Sequence, residues 1–197
     1  MSVRPPEVVL VRHGETEWTL SGRHTGHTDI PLTDRGREEA RALAAELAGR
    51  RFELVLTSPL ARAAETCRLA GLGEHAVERA ELMEWDYGAY EGRKTVEIRK
   101  ENPGWTLWDN GVPDGETAAE VGARVDRVIG ELRSVAGDAA VFAHGHVLRV
   151  LAARWLGLEP AGGRFFALDP ATISVLGYER ETPVLRLWNH REPVLDR

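Results

Sequence analysis

The chain has a single cysteine among its 197 residues, Cys67. One thiol cannot close an internal disulfide, and its setting among helix-forming residues marks it as a small core hydrophobe rather than a reactive group. Also missing is any apolar stretch approaching the ~20 residues that a membrane-spanning helix needs. Met1 to Pro6 lack the apolar core of a secretory signal, so the expectation is a cytoplasmic protein that does not engage a membrane. Basic excess is absent too: 25 Lys and Arg stand against 31 Asp and Glu, a net charge of −6. That argues against nucleic acid as a partner, because such binding relies on a broad basic surface. An anionic ligand must therefore find a local basic pocket. No Gly/Ser-rich linker, composition shift or repeat divides the chain, which predicts one domain over residues 1–197 with enough length to bury a core.

What is present is concentrated at Val8 to Thr16, an apolar run that ends abruptly in Arg12-His13-Gly14. β-Branched residues and Leu in continuous sequence fit a strand covered on both faces. The polar residues that follow then stand at the carboxyl edge of a sheet, where open α/β folds bind ligands. Gly14 allows a close backbone approach there. A guanidinium beside an imidazole at such an edge suits an anion, and phosphate is the natural one. The layout recurs at Ala139 to Ala143, which ends in His144-Gly145-His146.

Between these two junctions the chain alternates. Thr33 caps a helix over Asp34 to Ala48, and Glu53 to Thr57 is a second strand. Ser58-Pro59 is expected to cap and open a helix to about Ala70, with Arg62 one turn in. Val77 to Leu82 is a weaker strand. Glu91 to Gly115 is irregular apart from a short helix from Thr95, and Glu116 to Val135 carries apolar residues at helical spacing. Val147 to Leu156 is a further helix. Thr172 to Tyr178 and Pro183 to Trp188 form an antiparallel pair at the sheet's edge. Together these predict a three-layer α/β/α sandwich with a mostly parallel central sheet and an antiparallel edge.

The pattern resembles the histidine phosphatase superfamily, which includes the cofactor-dependent phosphoglycerate mutases. The resemblance rests on Arg12-His13-Gly14-Glu15-Thr16, Leu32-Thr33 with Gly36, Ser58-Pro59-Leu60-Ala61-Arg62-Ala63 with Glu65-Thr66, Leu82-Met83-Glu84, and His144-Gly145, in the family's order across nearly the whole chain. It implies a phosphohistidine on His13, phosphate contacts from Arg12, Arg62 and His144, and proton transfer by Glu84. Each role has a physical reason. Neutral imidazole is a nucleophile, arginines and a second histidine stabilise shifting phosphoryl charge, and a carboxylic acid eases departure of a poor alkoxide leaving group. Around the substrate the resemblance places Thr16, Thr19, Arg23, Thr25, Gly26 and Gly145. Thr19 departs from the family's common Asn, leaving one hydroxyl to donate to phosphate. Trp85, Tyr87 and Trp105 would form an aromatic wall.

The segment after Glu84 resembles the phosphatase branch and lacks the long insertion of the mutases. The expected activity is metal- and cofactor-independent hydrolysis of small phosphate esters, sugar phosphates among them, by a monomer or homodimer. Three alternatives stand beside it. One is a phosphoglycerate mutase using Arg93, Lys94 and Arg99 to hold substrate. Another is a metal-dependent hydrolase built on His13, His24, His27, Asp86, His144 and His146. The third is a binding module that recognises phosphorylated ligands without turnover.

Overall fold

The computed structural model describes residues 5–191; residues 1–4 of the stretch read above for a secretory signal lie outside them. In chain order the elements are β1 (Val8–Arg12), α1 (Glu17–Ser21), α2 (Asp34–Leu47), β2 (Phe52–Thr57), α3 (Ala61–Leu69), β3 (Ala76–Glu78), α4 (Thr95–Glu101), α5 (Leu107–Asn110), α6 (Ala118–Ser134), β4 (Asp138–Ala143), α7 (Gly145–Trp155), β5 (Ile173–Glu179) and β6 (Thr182–His190). The six strands form one sheet in the order β3-β2-β4-β1-β5-β6. The first four are mutually parallel, and β5 and β6 add an antiparallel edge.

The sheet is covered on both faces, which makes the predicted sandwich. On one side Val9, Val11, Val55, Ala140 and Phe142 pack with Leu43 and Leu47 of α2 and Cys67 of α3. On the other, Leu10, Leu56 and Val141 pack with Val121, Val125 and Val128 of α6 and with Leu148, Leu151 and Trp155 of α7. Alternate residues of each central strand thus feed opposite cores, so the strands read as continuous apolar runs. Each buried Val, Leu or Phe contributes about 1.5–3 kcal/mol.

The position of the site follows from strand order. β4 lies between β1 and β2, with Arg12 opposite Ala143 and Thr57 opposite Phe142. The ends of three strands therefore converge on one edge, each followed by a chain reversal.

Two local expectations change, and one element was not expected. α3 opens at Ala61 with Leu60 at its N-cap and no side-chain cap, so Ser58 and Pro59 precede the helix instead of starting it. Ser58 Oγ accepts from the Leu60 amide at 3.3 Å, a turn of its own, and the Ala61 amide donates to Asp29 at 2.9 Å. The expected strand over Val77 to Leu82 pairs only to Glu78 and then tightens into a 3-10 turn over Ala80–Leu82. α1 went unread because five residues are too few to show a helical period; the Thr16 and Thr19 side chains close a reciprocal cap that stabilises it.

Candidate active site

His13 is the first residue beyond β1, and its amide extends the ladder by donating to Ala143 at 3.0 Å. Its Nδ1 lies 2.7 Å from the carbonyl oxygen of Gly14. A carbonyl only accepts, so Nδ1 carries the hydrogen and Nε2 keeps its lone pair, with no partner among the described residues. Burial pushes the pKa of His13 well below the usual histidine value, and the charges of Arg62 and then Arg12 push the same way against the Gly14 carbonyl. The imidazole is held neutral and oriented. Gly14 serves packing more than ligand approach: a Cβ there would collide with the backbone of Gly36 at the start of α2.

His144, the N-cap of α7, stacks near this ring with centroids 5.1 Å apart and planes tilted by 58°. Arg62 Nε donates to its Nδ1 at 3.1 Å, and its Nε2 lies 2.7 Å from Ser58 Oγ. A guanidinium N–H can only donate, so His144 bears its hydrogen on Nε2 and gives it to Ser58. Burial, with the charge of the neighbouring Arg62, lowers its pKa well below the ordinary value and keeps the ring neutral.

Arg62 is fully buried, and its fork reaches backbone carbonyls: Nη1 donates to Thr28 at 3.0 Å, and Nη2 to Gly26 at 2.8 Å and Thr25 at 3.3 Å. It stands behind His144 and pins the 25–28 loop, where the resemblance had it clamping a phosphate. Arg12 is different. Nη1 donates to the Leu168 carbonyl, and Nε is buried with no hydrogen-bond partner. A buried donor without a protein partner is costly, and an anionic oxygen satisfies it.

Glu84 reaches the same cavity from the loop after β3. Its Oε1 accepts from the amides of Trp85 at 3.0 Å and Val147 at 2.9 Å, and Oε2 accepts from that of His146 at 2.9 Å. Two of these donors belong to the first turn of α7, a helix end suited to a carboxylate. A carboxylate has about four acceptor directions, so three backbone bonds leave one free for a proton.

A cavity of about 210 Å³ is lined by Arg12, His13, Thr19, Arg23, Thr25, Glu84, Tyr87 and Gly145, all foreseen in the sequence, together with Gly22, His24, His146, Arg149 and Leu168. Six expected residues do not line it. His144 and Arg62 lie behind it, as described. Thr16 is buried as the cap of α1. Gly26 gives its amide to Glu91, at 2.9 and 3.0 Å, in place of a ligand. Trp85 is a core residue with no exposure, its indole N–H donating to the Glu116 carbonyl at 2.7 Å. The aromatic wall is thus Tyr87, whose phenol meets His146 Nδ1 at 2.7 Å, while Trp105 borders a neighbouring cavity. Thr19 faces the cavity, yet its hydroxyl donates to the Thr16 carbonyl at 2.8 Å and accepts from the Thr16 amide at 2.9 Å, so that hydrogen is not directed at a phosphate.

Arg149 and Ser58 are the functional neighbours that sequence reading missed. Arg149 could have been found from spacing, since it falls one turn after Gly145 and His146 on a helix whose N-terminus carries His144. Ser58 gave no signal beyond its place in a matched segment. Arg93, Lys94 and Arg99, proposed for a mutase clamp, do not line the catalytic cavity; Arg93 pairs with Glu101 at 2.6 Å. Among the described residues no three of His, Cys, Asp and Glu cluster so as to hold a metal ion.

Residues 8–191 match the family model described as the histidine phosphatase superfamily, branch 1. An acid phosphatase from Mycobacterium tuberculosis is 41% identical over 98% of this chain and 98% of its own. A sedoheptulose 1,7-bisphosphatase from Saccharomyces cerevisiae is 37% identical, covering 78% of this chain and 68% of that protein. Among solved structures, that of an open reading frame from Mycobacterium tuberculosis superposes with a TM-score of 0.89 at 38% identity, covering 94% of this chain and 98% of the other.

Proposed function

The chain belongs to branch 1 of the histidine phosphatase superfamily and is a phosphatase; from that premise we propose that it hydrolyses small phosphate monoesters, without a metal ion, through a phosphoryl group carried on His13. The observation that carries the reading is the Nδ1 contact of His13 with the Gly14 carbonyl, which leaves Nε2 as a neutral nucleophile beside the unpartnered Nε of Arg12.

In the first step His13 Nε2 attacks phosphorus while the ester P–O bond breaks, and the departing alkoxide takes its proton from Glu84. In the second, Glu84 as carboxylate takes a proton from water, the resulting hydroxide attacks phosphorus, and the N–P bond breaks to release inorganic phosphate and restore the imidazole. Arg12 stabilises the equatorial oxygens. Arg62 acts by its charge and by its hold on His144 and the 25–28 loop. Arg23, Thr25, Tyr87 and Gly145 frame the substrate.

Sugar phosphates are the substrate class that a cavity of this size and the name of the sedoheptulose bisphosphatase relative support. The protein is proposed to work in the cytoplasm as one domain over residues 1–197; no helix among the described residues is long and apolar enough to cross a membrane. The test is His13→Ala. Rapid-quench labelling with ³²P-ester should show phosphoenzyme in the wild type and neither label nor turnover in a folded variant. Label retained in the variant would overturn the assignment.

A further inference from the structure

A second cavity of about 390 Å³ adjoins the catalytic one, and His24 and His146 line both. Its walls include Trp105, Trp108, Phe165, Thr95 and Arg99. Arg149 stands where the two meet: it lines the catalytic cavity, and its guanidinium stacks 4.8 Å from the ring of Trp108. The side chain is held by backbone alone, Nε donating to the Gly163 carbonyl at 3.0 Å and Nη2 to that of Arg164 at 3.3 Å. Among the described residues Nη1 has no partner, and no carboxylate contacts the group. The neighbouring Arg164, by contrast, is neutralised by Asp109 through bonds of 2.6 and 3.0 Å.

A half-buried guanidinium with no carboxylate bonded to it, on which the Glu84 charge acts only from a distance, keeps a donor that an anionic ligand can take. Arg12 is already assigned to the transferring phosphoryl group, so Arg149 is left for a different one. Arg99 adds a second cation on the outer wall; it donates through Nε to the Trp105 carbonyl at 2.8 Å and makes no ion pair among the described residues. The tryptophan faces between these cations suit the carbon skeleton of a ligand.

We propose that the adjoining cavity receives the alcohol part of the substrate and selects esters bearing a second anionic group, which Arg149 meets from the catalytic side and Arg99 from the outer side. This rests on the phosphatase reading above.

Matched ester pairs test it: glycerol 3-phosphate against 3-phosphoglycerate, which adds a carboxylate, and fructose 6-phosphate against fructose 1,6-bisphosphate, which adds a phosphate. In the wild type the second anion should raise kcat/KM by about ten-fold or more in at least one pair, the worth of one charge-assisted hydrogen bond. Which pair responds identifies the anion. Arg149→Met should erase most of that ratio whatever it does to both members together, and Arg149→Lys should keep part of it. Arg99→Gln, which removes the outer cation together with its bond to the Trp105 carbonyl, should lower it by roughly two- to three-fold, as for a rim charge. No advantage in either pair of the wild type, or a ratio unchanged in a folded Arg149→Met protein, overturns the proposal. Should the wild type hydrolyse no ester, p-nitrophenyl phosphate included, the phosphatase reading itself has failed.

Discussion

Arg62 Nε donates to His144 Nδ1 across 3.1 Å, joining the first turn of α3 to the N-cap of α7. The same guanidinium holds three carbonyls of the 25–28 loop. One buried side chain therefore sets the tautomer of the second histidine and the position of a cavity wall.

Arg62→Lys should show this dual dependence. An ammonium cannot reproduce a planar fork, so buried acceptors lose their donors, at about 1–3 kcal/mol of stability. Turnover should fall by roughly ten- to a hundred-fold, because His144 loses its fixed tautomer. Thermal unfolding and kcat measured together decide it; a variant with native melting and native kcat would contradict the role.

Glu84→Gln separates hydrolysis from binding. The amide oxygen can keep backbone partners, but the group can neither give nor take the catalytic proton. Turnover should fall by roughly 10²-fold or more while a phosphate ester still binds. Isothermal titration beside steady-state kinetics reads both. Undiminished turnover would remove Glu84 from the mechanism.

Acid should destabilise the fold through its buried imidazoles. Burial lowers the pKa of His24 to about 4, and burial with nearby arginines lowers those of His13, His144 and His146 well below the ordinary value. Between the folded values and the unfolded value of about 6.5 the unfolded chain binds more protons, so stability rises with pH through that window. Their contribution is fully present above about pH 6.5 and is lost as pH falls through the folded values. Melting temperature should drop from neutrality toward about pH 4.5, and His24→Gln should drop less steeply. Parallel slopes for the two proteins would contradict the assignment to His24.

Cys67 should be silent in the native protein. It lies fully buried on the inner side of α3, and burial pushes its thiol up to about 12. An aromatic disulfide reagent at about pH 8 should label it only after denaturant is added, because the thiolate is the reacting form. Rapid labelling of the native protein would show that α3 opens locally.

The sheet was legible because its central strands bury both faces and its helices carry apolar residues at helical spacing, as in Val8 to Val11 and Val121 to Leu132. α4 was glimpsed and α5 missed because neither is long enough to show a period. Thr16 and Gly26 were assigned to the substrate because residue type and matched position cannot show where a hydroxyl or amide turns. Thr16 turned to a helix cap, and Gly26 to Glu91, a residue 65 positions away.

Residue order alone determined that two apolar strands end in histidines, that an arginine precedes the first, and that a matched glutamate lies between them, since these are properties of local composition and family pattern. Only the tertiary structure decided which groups face the cavity and which stand behind it. Arg62 and His144 spend their hydrogen bonds on each other, on Ser58 and on a loop, whereas Arg12 Nε and Arg149 Nη1 keep theirs unspent. That division depends on long-range contacts between α3, α7 and the 25–28 loop, which no local window of sequence contains.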